Sequence, residues 1–294
     1  MRSIAITGAN GFIGKAMVNH FLNKNWKVFG LCRNPDQLQI FHPNFVSIPY
    51  NLEQGFRPET ISEPIDAILH LAFQPYSSAF PNAYEVNLNE VRNLLRIASG
   101  TTLKLIYFSS MSAHLQAESM YGKHKLEAEK LLENSNALIL KPGLVLGNGG
   151  MLLKIHAMMQ KLPMVPLIDG GKQPVQTIDV NELCEASYRL LEQNKQGIWC
   201  MAERHPTTMR NLYFAIAQAM NKKVIFLPLP YALVWFPAWL ADRLKISLPI
   251  NLENLLGLKK LTSFDTFVTE NTIKFNFGSM NAIVAKYKAI LQHD

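Results

Sequence analysis

Short apolar runs and amphipathic stretches alternate along the first two-thirds of the chain. Ser3–Thr7, Lys27–Cys32, Phe45–Ile48, Ala67–Leu71, Lys104–Ser109 and Ala137–Leu140 are brief, apolar and rich in β-branched and aromatic residues, as buried strands are. Between them, Phe12–Asn23, Tyr84–Ser99 and Tyr121–Glu133 carry a helical period. Parallel strands need long crossovers, so this alternation predicts a doubly wound parallel sheet with helices on both faces, an α/β fold of Rossmann type. From about Gly143 the pattern loosens. Gly147-Asn148-Gly149-Gly150 reads as a loop and Met151–Lys161 as a methionine-rich helix, and Pro163, Pro166, Gly170, Gly171 and Pro174 then break the chain. A helix (Met209–Met220), a strand (Lys223–Leu227) and a leucine-rich helix (Leu252–Leu261) follow. The expected division is a Rossmann-type α/β domain of residues 1–145 with about 174–200. A small, irregular lobe of about 146–173 with 201–294 completes the chain.

Composition narrows the class. With 48% hydrophobic and 17% charged residues among 294, a disordered chain is excluded. The formal charge of +7 comes from singly scattered or paired basic residues such as Lys222–Lys223 and Lys259–Lys260, which favours anionic small molecules over nucleic acid. Cys32, Cys184 and Cys200 are too widely spaced for a metal knuckle or a disulfide framework and fit a reducing, cytoplasmic setting. The apolar stretch Val224–Leu240 is interrupted by Pro228, Pro230 and Pro237 and is shorter than the roughly 20 residues of a spanning helix. It reads as the wall of a substrate pocket, and stable membrane insertion is not expected.

Thr7-Gly8-Ala9-Asn10-Gly11-Phe12-Ile13-Gly14 lies between the first strand and the first helix. Gly8 permits a tight turn, Gly11 a close approach of backbone to a pyrophosphate, and Gly14 close packing of helix on strand, with the helix N-terminus favouring the anion. The spacing is one residue wider than GxGxxG. Where an NAD enzyme usually places an acidic residue, about 20 positions further on, this chain has Cys32 and Arg33. A guanidinium suits a 2′-phosphate, which favours NADP over NAD; the alternative is that Arg33 is a solvated loop residue and that Asp36, or nothing, meets the ribose.

Tyr121 and Lys125 stand one helical turn apart, on one face. An ammonium beside a phenol stabilises the phenolate, making Tyr121 a general acid/base tuned by Lys125. Ser109 and Ser110 close the preceding strand, at the sheet end where open α/β folds bind ligands. The eight histidines form no HxxH, HxxxH or HExxH pattern, so no metal site is expected. His70 reads as a hydrogen-bonded core residue. His124 is expected to point away from the tyrosine–lysine pair into solvent. The methionines Met111, Met120, Met151, Met158 and Met159 read as a flexible pocket lining.

These motifs resemble the extended or atypical branch of the short-chain dehydrogenase/reductase superfamily, the NAD(P)-dependent epimerase/dehydratase family. The resemblance covers about the first 200 residues. It includes the Thr7–Gly14 turn, Asp66-Ala67-Ile68-Leu69-His70-Leu71-Ala72, Asn87, Ser109-Ser110, the Tyr121/Lys125 pair, Lys141-Pro142-Gly143 and Val175–Val180. It implies a Ser110–Tyr121–Lys125 catalytic set in which Ser110 hydrogen-bonds the reacting oxygen. Only ten residues separate Ser110 from Tyr121, so Ser112 is the alternative hydroxyl. The resemblance further implies that Gly8, Asn10, Gly11, Phe12, Ile13, Gly14, Arg33, Leu71, Ala72, Phe73, Asn87, Ser109, Tyr121 and Lys125 contact the dinucleotide, with Pro142, Gly143 and Val145 closing over the nicotinamide. Met111-Ser112 replaces the Asp-Glu pair of the family's 4,6-dehydratases, which argues against loss of water. Lys141 and Asp179 stand where the family has arginine and histidine.

The expectation is therefore an oxidoreductase or epimerase acting on a nucleotide sugar or similar carbonyl or hydroxyl compound, with a homodimer implied by analogy. Two rivals are a cofactor-binding assembly protein without turnover and a reductase of hydrophobic or lipid-linked substrates.

Overall fold

The computed structural model describes residues 1–76, 80–162, 164–243 and 252–292. In chain order it contains β1 (Ser3–Thr7), α1 (Phe12–Asn23), β2 (Lys27–Cys32), β3 (Phe45–Pro49), β4 (Ala67–His70), α2 (Ala83–Ala98), β5 (Lys104–Phe108), α3 (Met120–Leu132) and β6 (Leu138–Pro142). There follow β7 (Leu144–Gly147), α4 (Gly150–Lys161), β8 (Met164–Ile168), β9 (Pro174–Val175), β10 (Thr177–Asp179), α5 (Val180–Glu192) and β11 (Gly197–Met201). The last stretch holds β12 (Thr207–Thr208), α6 (Met209–Ala219), β13 (Ile225–Leu229), α7 (Tyr231–Arg243), α8 (Leu252–Lys259), α9 (Phe267–Ile273), α10 (Met280–Lys286) and α11 (Lys288–Gln292).

The central sheet has the strand order β11-β6-β5-β4-β1-β2-β3. Its β1–β2, β2–β3, β1–β4, β4–β5 and β5–β6 pairs are all parallel. β1, β4 and β5 are buried along their whole length, as strands covered on both faces must be. One face carries α2 and α3, whose Leu88, Val91, Leu94, Ala128 and Leu132 pack with Phe29, Leu31, Ile68, Leu105, Tyr107 and Ile139 of the sheet. On α1, Phe21 packs edge-on against Tyr188 of α5, their ring centres 6.0 Å apart, and Lys24 pairs with Glu185 at 3.1 Å.

The chain divides into two compact units. The first comprises Met1–Ser110, His124–Lys141 and Cys184–Trp199; the second comprises Met111–Lys123, Pro142–Leu183 and Cys200–Asp294. Relative to the expected division, the second unit also takes 111–123, 142–145 and 174–183. The reason is local pairing: β7 runs parallel to β10, and the Leu144 amide donates to the Gln176 carbonyl at 2.8 Å, so these segments form one small sheet inside that unit. Its core gathers Leu146, Leu152, Ile155, Met159, Leu212, Ile216, Ile283, Val284 and Leu291. Met159 is fully buried there and Met158 packs against it, so these two fill the core instead of lining a pocket.

The helix α5 carries no expectation from the sequence reading above. Asp179 caps it: its Oδ1 accepts from the Asn181 amide at 2.8 Å and from Lys286 Nζ at 2.8 Å, and its Oδ2 accepts from the Tyr287 hydroxyl at 2.7 Å. Although burial acts the other way, these donors hold the Asp179 carboxyl below its ordinary range. An acidic cap followed by Leu183, Ala186 and Leu190 is a readable helix signal.

Candidate functional site

The glycine turn is built as the spacing requires. Gly8 has φ +71°, and a Cβ there would lie 2.9 Å from the Ala72 nitrogen, so only glycine fits under the loop that follows β4. A Cβ on Gly14 would lie 2.2 Å from the Gly8 carbonyl oxygen, which makes Gly14 the close-packing glycine. Gly11 is the N-cap of α1 with no side-chain cap, and the first turn of that helix holds no acidic residue. An N-terminus in this condition leaves amide donors and the positive end of the helix dipole for an anion. Asn10 donates to Gln37 Oε1 at 3.3 Å. The Ala9 amide donates to the Leu31 carbonyl at 3.2 Å, tying the turn to the end of β2, two residues before exposed Arg33.

Thr7 joins this turn to β4. Its Oγ1 accepts from the Leu71 and Ala72 amides, both at 3.1 Å, and lies 2.9 Å from His70 Nδ1. With both lone pairs engaged, the Thr7 hydroxyl must donate to Nδ1, which fixes His70 as the neutral Nε2–H tautomer. Burial, with the Lys125 charge second, pushes its pKa down to about 3. His70 is thus a satisfied core residue. Asn87 on α2 secures the same loop: its Oδ1 accepts from the Gln74 amide at 2.8 Å, and its Nδ2 donates to the Gln74 carbonyl at 2.9 Å and the Ala83 carbonyl at 2.7 Å. All its hydrogen-bonding directions in these contacts go to backbone, so Asn87 positions the Leu71–Phe73 loop.

Lys125 is 5% exposed. Its Nζ donates to the Phe108 carbonyl at 2.6 Å and sits 4.7 Å from the Tyr107 ring centre and 5.1 Å from that of Phe73. Burial lowers its pKa to about 7, against the opposing pull of Glu129. Ser109 is hydrogen-bonded to Glu129, which also accepts from Lys141 Nζ at 3.0 Å. The departure at Lys141 is thereby accounted for: it serves a buried ion pair.

His124 corrects the sequence reading. It is 1% exposed, not solvated, with its ring among Phe73, Tyr76 and Tyr84 at centroid distances of 5.4, 6.4 and 5.6 Å. Neither ring nitrogen has a hydrogen-bond partner among the described residues, and burial pushes its pKa down to about 3. An aromatic wall formed by the loop after β4 and the first turn of α2 cannot be foreseen from helical periodicity alone.

Tyr121 opens α3 one turn before Lys125 on the same continuous helix. It belongs to the second unit, as do Ser112, Pro142, Gly143 and Val145; Ser110 ends a segment of the first. In the second unit the Met111 amide donates to the Pro142 carbonyl at 3.0 Å. A Cβ on Gly122 would lie 2.4 Å from the Ser112 carbonyl oxygen, and one on Gly143 would lie 2.2 Å from that of Gln176. The start of α3 is held by a residue that sequence reasoning missed: Glu253 accepts from the Met120 amide at 2.9 Å and the Tyr121 amide at 3.4 Å. At a distance of more than a hundred residues along the chain, no local signal marks it.

The parallel sheet, its flanking helices and the glycine turn after β1 define a Rossmann-type α/β protein. Residues 4–200 match the model of the NAD dependent epimerase/dehydratase family, and the chain belongs to that family. It is 26% identical over 252 residues to methionine adenosyltransferase 2 subunit beta from Bos taurus, covering 75% of this chain and 72% of the relative. The fold is similar to that of UDP-glucuronic acid 4-epimerase from Bacillus cereus in complex with NAD, with TM-score 0.75 and 16% identity over 99% of this chain and 96% of the other. It is also similar to a human epimerase family protein with NADPH, with TM-score 0.72 and 15% identity over 98% of this chain and 99% of the other. Among the described residues, no group of three or more His, Cys, Asp or Glu could hold a metal ion, and no helix is long and apolar enough to cross a membrane.

Proposed function

We propose that the chain is an NAD(P)-dependent oxidoreductase or epimerase acting on a nucleotide-sugar-like or other polar hydroxyl or carbonyl substrate. The observation that carries this reading is the placement of Tyr121 one turn from Lys125, with the Lys125 ammonium drawn to the carbonyl end of β5. The nicotinamide, when bound, supplies the hydride chemistry. Gly8, Gly11 and Gly14 fit its pyrophosphate, since Gly8 and Gly14 leave no room for a side chain, a Cβ on Gly11 would already crowd the Gly8 carbonyl at 3.2 Å, and α1 offers uncapped amides. The Leu71–Phe73 loop, pinned by Thr7 and Asn87, would flank the dinucleotide. Tyr121 exchanges a proton with the substrate oxygen; Lys125 in its ammonium form favours the phenolate; Ser110, or Ser112, donates to the same oxygen as charge develops.

Exposed Arg33, just beyond β2, favours NADP. Titration of nucleotide-free protein with NADPH and NADH, read by nicotinamide fluorescence, is expected to show tighter NADPH binding that Arg33→Asp weakens about tenfold or more. Equal binding in the variant removes Arg33 from the site. Turnover screens on nucleotide sugars are expected to give activity that Tyr121→Phe lowers about a hundredfold or more.

A second reading is a cofactor-binding subunit without turnover, motivated by the similarity to proteins named as a methionine adenosyltransferase subunit. Full biological function in the Tyr121→Phe chain would select it.

A further inference from the structure

The first unit buries a second charged group that the proposed reaction does not touch. Glu129 lies one turn beyond Lys125 on α3 and is 3% exposed. Its Oε1 accepts from the Ser109 hydroxyl and its Oε2 from Lys141 Nζ at 3.0 Å, with the Lys141 side chain 6% exposed. Ser109 directly follows Phe108, whose carbonyl holds the Lys125 ammonium at 2.6 Å. Two consecutive residues at the end of β5 therefore fasten two successive turns of α3. The adjacent strand β6 supplies Lys141, and its Leu140 carbonyl accepts from the Ser109 amide at 2.7 Å.

A buried ion pair is a poor way merely to attach a helix, because apolar side chains of similar size serve as well or better. A carboxylate in this place calls for an explanation through its charge. Among the described residues of the first unit, groups facing Lys125 include His70 from β4, Tyr107 from β5, Phe73 from the loop after β4, and His124 and Glu129 from α3, with Lys141 of β6 behind Glu129. Both imidazoles are neutral near pH 7 and the two rings are uncharged, so Glu129 is the carboxyl of this set; burial pushes its own pKa up, and the Ser109 hydroxyl and the Lys141 and Lys125 ammonium groups oppose that rise and favour its carboxylate form.

We infer that Glu129 is a positioning residue for the acid–base pair: fixed by Ser109 and Lys141, its carboxylate keeps Lys125 in the ammonium form inside an apolar pocket. The lowered pKa of Lys125, for which burial is the first cause and Glu129 the opposing one, agrees with this arrangement. The catalytic weight of the inference rests on the reading of Lys125 as the partner of Tyr121; the electrostatic coupling does not.

The test is a pH titration of the full chain labelled with 13C at lysine Cε, with the Lys125 signal assigned through Lys125→Met. In Glu129→Gln the Lys125 midpoint is expected to fall by about one unit or more, the size of shift a neighbouring opposite charge produces. In Lys141→Met it is expected to rise, since a cation is removed and the carboxylate is left; Glu129→Asp is expected to restore most of the native value. Opposite shifts from the two halves of one ion pair are something general loosening of the fold would not produce. Should Glu129→Gln not fold, the double variant Glu129→Gln/Lys141→Met removes the pair together and is expected to lower the midpoint. An unmoved midpoint, or shifts of the same sign in the two single variants, overturns the inference. No turnover enters the readout. A chain inert toward every hydroxyl or carbonyl substrate but showing the paired shifts loses the enzymatic reading alone, whereas an active chain with an unmoved midpoint loses this one.

Discussion

Replacing Lys125 by methionine removes a charge from a pocket of rings and strand backbone while keeping most of the packed stem. The ammonium's pKa falls from 10.5 to about 7 on folding. At about 1.36 kcal/mol per unit, the folded state at pH 6 is disfavoured by about 5 kcal/mol relative to a pH at which the amine is neutral in both states. The unfolded chain holds its proton up to 10.5 and the folded chain releases it near 7, so the unfolded state binds more protons between these values. Stability therefore rises with pH across that window. Methionine forfeits the hydrogen bond to the Phe108 carbonyl, a loss of about 1 kcal/mol. The variant is expected to be about 4 kcal/mol more stable than the parent at pH 6, and the margin to shrink by about 1.4 kcal/mol per unit above pH 7. Urea unfolding of both nucleotide-free proteins at pH 6, 7, 8 and 9 measures this directly. A variant less stable at pH 6, or a difference that is flat with pH, would refute the claim that folding holds this ammonium at a cost.

Three further outcomes are expected. A methyl on Gly14 would meet the Gly8 carbonyl oxygen at 2.2 Å, so Gly14→Ala should weaken NAD(P)H binding tenfold or more and destabilise by about 2 kcal/mol; unchanged fluorescence titration excludes the turn as the nucleotide site. His124→Phe replaces a ring that has no hydrogen-bond partner among the described residues by an apolar one and should stabilise by about 1 kcal/mol at pH 7. Because the His124 pKa falls from 6.5 to about 3, the parent loses stability as pH drops through that interval, and the variant should remove up to about 1.4 kcal/mol per unit of that slope; parallel acid-unfolding curves would contradict it. Asn87→Ala deletes three hydrogen bonds, two of them to Gln74, and should cost about 2–3 kcal/mol with faster amide exchange at Gln74; native exchange there would show that the loop is held by something else.

What could be read in advance follows from how local each determinant is. β1 and β2 begin and end where their apolar runs do, because a buried parallel strand must be apolar throughout. The glycine turn and the Tyr121–Lys125 spacing are equally local, each needing only one strand–helix junction or one helical turn. The burial of His124 depends on Phe73, Tyr76 and Tyr84, which reach it from a loop and another helix, and the Glu253 cap comes from far along the chain. Such contacts are products of tertiary packing and leave no periodic trace. The helix α5 is a different case: Asp179 and the leucines after it are a local signal, masked by the glycines and prolines just upstream.

The order of the strands also bears on how the chain comes off the ribosome. β1, β2 and β3 lie side by side in the order of their synthesis; β4 then joins the other, free edge of β1, and β5, β6 and finally β11 each join the edge left by the strand of the sheet before it. No strand has to be threaded between two that are already paired. Until the residues around Gly197 emerge, however, β6 has no neighbour on its outer side, and a waiting parallel edge is where a nascent chain is most exposed to pairing with a stranger. Ribosomal pausing or chaperone contact is accordingly most consequential over the stretch between β6 and β11, which is where the second unit receives most of its small strands.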